Sequence, residues 1–271
     1  MLIISNKYLI SGSWDQKISV WSLDNFSLEK SFTTNFSIEC LVKLSDEVLA
    51  FGTTDGQIII LNITSWKIKK KINAHTDKAR RLVVLGNGNL ASGSWDKNIK
   101  IVDTNNFSLI STLTGHLDTI RDLAVLPSGD LASGSCDNTV ILWDMKTLKQ
   151  IQKLNHTDCV FRINVLKNGD LASISSDRKI YLWDMTSYKI KATFSQDKKW
   201  MALNNLGDGN LMSDDQLGNI NFWNISNNSF IKSLNVTKTM AINFLLELPN
   251  KEIATSFSNG VILIWNKNVY P

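Results

Sequence analysis

Apolar and polar positions along this chain alternate in short runs, and none keeps the period of an amphipathic helix. Residues 115–154, GHLDTIRDLAVLPSGDLASGSCDNTVILWDMKTLKQIQKL, show the pattern. β-rich runs stand at 119–126, 130–136, 139–144 and 149–154. PSGD and DNT between them are turn sequences, and MKT can supply a third turn. The third run is apolar at neighbouring as well as alternate positions, as expected of a strand covered on both faces. The window therefore predicts four short antiparallel strands.

The same window recurs. SGSWDQKISVW ends at Trp21, FGTTDGQIIIL at Leu61, SGSWDKNIKIV at Val102, SGSCDNTVILW at Trp143 and SISSDRKIYLW at Trp183. Each has a Ser- or Thr-bearing strand, an Asp six residues before the end, a tight turn and an apolar strand. Looser copies end at Trp223 and Trp265, so the steps between end points are 40, 41, 41, 40, 40 and 42 residues. Only a tandem array holds such a register. Four antiparallel strands per repeat predict an all-β fold, a seven-bladed β-propeller of four-stranded blades. The expected organisation is one domain, 1–271, with blades near 1–33, 34–73, 74–114, 115–155, 156–195, 196–236 and 237–271. Trp21, Trp143, Trp183, Trp223 and Trp265 are expected to be buried between blades. Met1–Ser5 matches only the latter half of an innermost strand, and NKNVYP directly follows the third strand of blade seven. Blade seven is thus expected to lack its outer strand, or the native protein to be longer.

Gly115–His116, the SGSCD turn and Trp143–Asp144 resemble a WD repeat of the transducin β-subunit type, and the likeness runs through essentially the whole chain. The resemblance implies a structural relay of Trp, Ser or Thr, His and turn Asp. In blade four these are His116, Ser133, Asp137 and Trp143; in blade five, His156, Ser173, Asp177 and Trp183. Blade three has His75, Ser92 and Asp96, with Val102 in place of the Trp, and blade two lacks the His, Ser and Trp. Leu217 and Asn259 stand where blades six and seven should carry the Asp. A His–Ser–Asp set also invites a catalytic-triad reading. Recurrence in neighbouring blades favours the structural one, in which a fully satisfied polar chain pins a turn.

The resemblance further implies a top face read at the residue before the turn Asp and at the residues three and five after the His. These positions give the candidate peptide- or protein-binding residues Trp14, Lys78, Arg80, Trp95, Arg121, Phe161, Lys199 and Met201. Trp95 with Lys78, Arg80 and Arg121 forms an aromatic and basic cluster suited to an acidic or phosphorylated peptide. The spacing of Arg80 and Arg121 is similar to that of arginines with which F-box WD-repeat receptors grip a phosphorylated degron. Those receptors also carry an Arg before a turn Asp, where this chain has Trp95 and Cys136, so an acidic peptide with an apolar anchor fits better. That reading requires both arginines to face solvent, unpaired by local acids such as Asp77 or Asp118. Phe161 and Met201 mark a competing, more apolar sector.

Composition narrows the classes. A net charge of +4, from 29 basic and 25 acidic residues, is too small for a dedicated nucleic-acid-binding tail. No apolar run approaches the ~18 residues of a membrane helix, and the first residues do not read as a secretory signal. Three His and three Cys without Cys-x-x-Cys predict no metal site, and the absence of phosphate-binding Gly-rich motifs predicts no cofactor. Asp214–Asp215 reads as a solvated loop. Cys40, Cys136 and Cys159 read as reduced thiols, and hence the localisation as cytoplasmic or nuclear. The expected function is a non-catalytic scaffold or substrate-recognition propeller for other proteins or peptides, with no membrane partner. One alternative is a regulatory module, joined to upstream domains, with weak nucleic-acid contact; another, less favoured, is a channel-sited enzyme.

Overall fold

The computed structural model describes residues 1–195, 202–215, 217–236 and 242–266. Among these residues the strands form seven antiparallel sheets in sequence order, six of four strands and a last one of three. Blade three shows how the sequence builds one. Ala79–Val84, Leu90–Ser94, Ile99–Val102 and Leu109–Leu113 pair in turn. Gly88, at φ 85°, closes the first hairpin by donating to the Leu85 carbonyl at 2.9 Å. Lys97, at φ 72°, closes the second, which Asp96 and Ser94 brace with side-chain acceptors.

Two compact units divide the chain, residues 1–137 with 141–151, and 138–140 with 152–271. In the first unit the strand Gln57–Asn62 shows why neighbouring sheets must pack. Ile58, Ile59, Ile60 and Leu61 are all fully buried. Because side chains alternate along a strand, Ile59 and Leu61 face one side and meet Ile10, Ile18, Ile38 and Phe51. Ile58 and Ile60 face the other and meet Leu82, Leu90 and Val102. Burying each such side chain contributes roughly 1.5–3 kcal/mol. Ile99, Ile101 and Ala91 repeat the arrangement against Ile120, Leu123 and Trp143. The second unit has its own clusters, one around Ile180, Leu182 and Trp223 and one around Phe222, Leu245 and Phe257.

Among the described residues the last blade has only Ile242–Glu247, Ile253–Phe257 and Ile262–Trp265, as the register implied. Trp143, Trp183 and Trp223 are buried, but Trp21 and Trp265 are only half-buried, which corrects the expectation for those two. Both still donate from Nε1 to a hydroxyl, Ser11 and Thr255 respectively. Their blades lack the histidine ring that packs on Trp143 and Trp183. Trp223 has no histidine either, but Phe194 and Phe230 lie 5.0 and 5.2 Å from it, centroid to centroid. Among the described residues no helix is long and apolar enough to cross a membrane.

Gly56 sits at φ 84°, and a Cβ there would lie 2.4 Å from the His75 carbonyl oxygen. Gly129 has a similar φ of 89° with open space around it. Gly129→Ala should therefore cost only the left-handed strain, about 1–2 kcal/mol. Gly56→Ala must also move backbone and should cost clearly more, which urea unfolding of the two variants would measure.

Candidate binding face and the relay beneath it

In blade four the relay is complete. His116 Nδ1 lies 2.8 Å from Asp137, His116 Nε2 lies 2.7 Å from Ser133 Oγ, and the Trp143 indole donates to the same oxygen at 2.8 Å. A ring protonated at Nδ1 donates to the carboxylate and accepts the serine proton at Nε2, leaving no member unsatisfied. Blade three repeats the histidine contacts, with His75 2.9 Å from both Asp96 and Ser92, but has Val102 in place of the indole donor. Burial alone would raise the Asp96 carboxyl, but His75 and the N–H groups of Asn98 and Thr76 outweigh it and hold the pKa at about 2. Ser92, Ser133 and Ser173 are fully buried, so no substrate reaches their hydroxyls. The geometry is that of a strut.

Blade five departs from the expected chain. His156 Nε2 meets Ser173 Oγ at 2.7 Å and Trp183 donates to Ser173 at 2.8 Å. Asp177, however, accepts from the Tyr181 hydroxyl at 2.7 Å and the Thr157 hydroxyl at 2.6 Å, and the buried His156 Nδ1 makes no bond to the carboxylate. Burial therefore pushes the imidazole down to about 4, the nearby Asp177 charge and the Leu154 backbone opposing it only in part. Burial and the bond to Asp177 push the Tyr181 phenol up to about 12. The visible signal was Tyr181, a phenol four residues after the turn Asp.

Blades two and six tie their turns differently. In blade two Thr53 Oγ1 bonds the Asp55 carboxylate and accepts from the Gln57 N–H at 2.9 Å. Asp214 and Asp215 are buried rather than solvated. Asp214 accepts from the Ala202 N–H, and Asp215 from the N–H groups of Leu217 and Asn219. Backbone donors thus replace the histidine in holding these acids.

The turns carry the face. Trp95 N–H donates to the Lys78 carbonyl at 3.1 Å, which ties the turn tip to the loop entering the innermost strand. The Ser37 hydroxyl bonds the Trp14 carbonyl at 3.0 Å. Four of the candidate residues meet in a line. Lys78 Nζ lies 5.4 Å from the Trp14 ring and 4.3 Å from the Trp95 ring, and the Arg121 guanidinium lies 4.7 Å from Trp95. Trp14 is 66% exposed. Beneath them the Glu39 side chain, 2% exposed, holds Arg80 at 3.2 Å and Lys78 at 3.6 Å. Arg80 is therefore paired by an acid, contrary to the requirement that both arginines stand unpaired, and a two-arginine phosphate clamp loses one arm. Burial, and then the like charge of Arg80, lower the Arg121 pKa, while Asp118 and Glu39 oppose the shift. Its Nε also lies 3.2 Å from Cys136 Sγ.

Of the competing sector, Phe161 is half-buried and packs on the core around Leu182 and Trp223, while Met201 and also Lys199 lie outside the described residues. Cys136 and Cys159 are disulfide-bonded and Cys40 is a free thiol, so three reduced thiols were a wrong expectation and no longer support a reducing compartment. Among the described residues no group of His, Cys, Asp and Glu is placed to hold a metal ion.

Residues 4–22, 66–103, 107–144 and 148–184 match the model described as WD domain, G-beta repeat. The crystal structure of the WD40 β-propeller domain of Doa1 is similar to this chain with a TM-score of 0.84. That match covers 98% of this chain and 91% of the other at 22% identity, which establishes the fold alone. No curated protein matches the sequence. The fold is a seven-bladed β-propeller, its last blade three-stranded among the described residues. The chain belongs to the WD-repeat family, whose members generally bind other proteins and are generally non-catalytic.

Asp137→Ala should cost about 1–3 kcal/mol, because it leaves the buried His116 N–H without an acceptor. Chemical denaturation checks this. His156 gives a pH signature: its folded pKa of about 4 lies below the unfolded 6.5, so acid favours the unfolded chain. Its contribution is complete above the unfolded pKa, falls as pH drops towards the folded one and is flat below it. Wild type should lose roughly 2 kcal/mol from this source between pH 7 and pH 5, and His156→Gln should not. Urea unfolding of both proteins at the two pH values reads the difference.

Proposed function

We propose that this propeller is a non-catalytic interaction module that holds a partner protein through an acidic segment on the face carrying Trp14, Lys78, Trp95 and Arg121. The observation that carries this reading is the exposed Trp14 indole beside Lys78, which shares one buried carboxylate, Glu39, with Arg80, while Arg121 stacks on the neighbouring Trp95 ring. An exposed tryptophan suits a binding hot spot, since a rigid amphipathic ring gives large contact area at low entropic cost. Partner carboxylates would meet Lys78 and Arg121, and an apolar partner side chain would cover Trp14. Because Glu39 neutralises Arg80, the face suits carboxylates better than a phosphate that needs two convergent guanidiniums.

Arg121→Glu should abolish capture of the native partner, a loss of at least about 2 kcal/mol, because it places like charge before the partner's acid. Thermal unfolding should show the variant folded. Capture anchored by Trp14 should also survive a rise in salt that strips purely electrostatic contacts. Undiminished capture by the double variant Arg80→Ala, Arg121→Ala would place the site elsewhere.

A further inference from the structure

We propose that Trp14, Trp95 and Glu39 form a cage for an alkylated ammonium group on the partner, and that Lys78 is its internal, displaceable occupant. The walls are the two indoles, both within the range of a cation–π contact from Lys78 Nζ, at 5.4 and 4.3 Å. The floor is the Glu39 carboxylate. Its Oε2 accepts from Arg80, but its Oε1 is buried without a hydrogen bond, and Lys78 Nζ stops 3.6 Å away. The Trp95 indole N–H is buried without an acceptor too.

A lysine ammonium is a compact, strongly hydrated charge with three donors. This site offers it π faces and a carboxylate beyond hydrogen-bond reach, so it replaces lost hydration poorly. A methylated ammonium keeps the charge, has fewer N–H groups to satisfy and is bulky enough to fill the gaps that Lys78 leaves. Cages of aromatic rings recognise such groups for this reason. Trp14 stands open to solvent, which leaves a way in. The displaced Lys78 would then meet an acidic residue beside the methylated lysine. The proposal rests in that respect on the acidic-segment reading, and it sharpens the ligand to a methylated lysine with an acidic neighbour.

The probe is N-acetyl-trimethyl-lysine methylamide, compared with its unmethylated counterpart, titrated into the full chain and followed by tryptophan fluorescence and calorimetry. The trimethylated probe should bind about tenfold more tightly than the unmethylated one, the scale of one desolvated cation–π contact. Lys78→Ala should tighten it about tenfold further, because nothing need be ejected from the cage. Trp14→Ala, at an exposed position and checked as folded by thermal unfolding, should remove binding in either background. Equal binding of the two probes, no gain in Lys78→Ala, or retained binding in Trp14→Ala would each overturn the proposal. The probe carries no acid, so its failure would leave the acidic-segment reading standing, and loss of that reading would not alter the probe's binding.

Discussion

A sheet whose third strand is apolar on both faces cannot exist alone in water, and the rest of this structure follows from that constraint. Ile58 and Ile60 are buried against one neighbour and Ile59 and Leu61 against the other, so this blade completes the core of both its neighbours. The strands are short and local, and the free energy that orders them comes from the stacking of sheets rather than from any one sheet. The repeat length is then the length of chain that makes one such sheet, which is why the end points keep their spacing across the chain.

That stacking leaves the turns and the exposed outer strands, such as Lys67–Asn73, as places where sequence can vary without opening the core. The relay of His116, Ser133, Asp137 and Trp143 fixes where a turn tip sits, and the backbone bond from Trp95 to Lys78 fixes what stands beside it. The side chains of the candidate face are therefore presented by rigid parts of the fold, although they lie on its loops. Glu39 has a part in this: one buried carboxylate organises two cations beneath two indoles, and it converts what would be scattered lysines and arginines into a single ordered stack.

Most of the architecture was legible in the sequence, because strand alternation and a fixed period are properties of the chain itself. The short last blade followed from register alone. The face was legible as positions but not as partners. Arg80 and Glu39 both stood at strand-entry positions in neighbouring blades, yet only side-chain geometry shows that the acid neutralises the arginine. Blade five failed for a similar reason: His156, Ser173, Asp177 and Trp183 fit the relay by spacing, but Tyr181 competes for the carboxylate and takes it. Asp214 and Asp215 looked solvated because the turn pattern broke down there, whereas backbone N–H groups hold them inside. Spacing identifies which groups can meet; competition for a shared acceptor decides which do.

The central claim is that the partner docks on the turn tips around Trp14 and Trp95. A photo-crosslinking residue placed at Thr54, the turn-tip position of the intervening blade, tests it most directly. A second, placed at Asn87 in the turn at the opposite end of the blade-three strands, serves as the control. The account predicts that the native partner is captured from Thr54 and not from Asn87. Capture from Asn87 with none from Thr54 would contradict it.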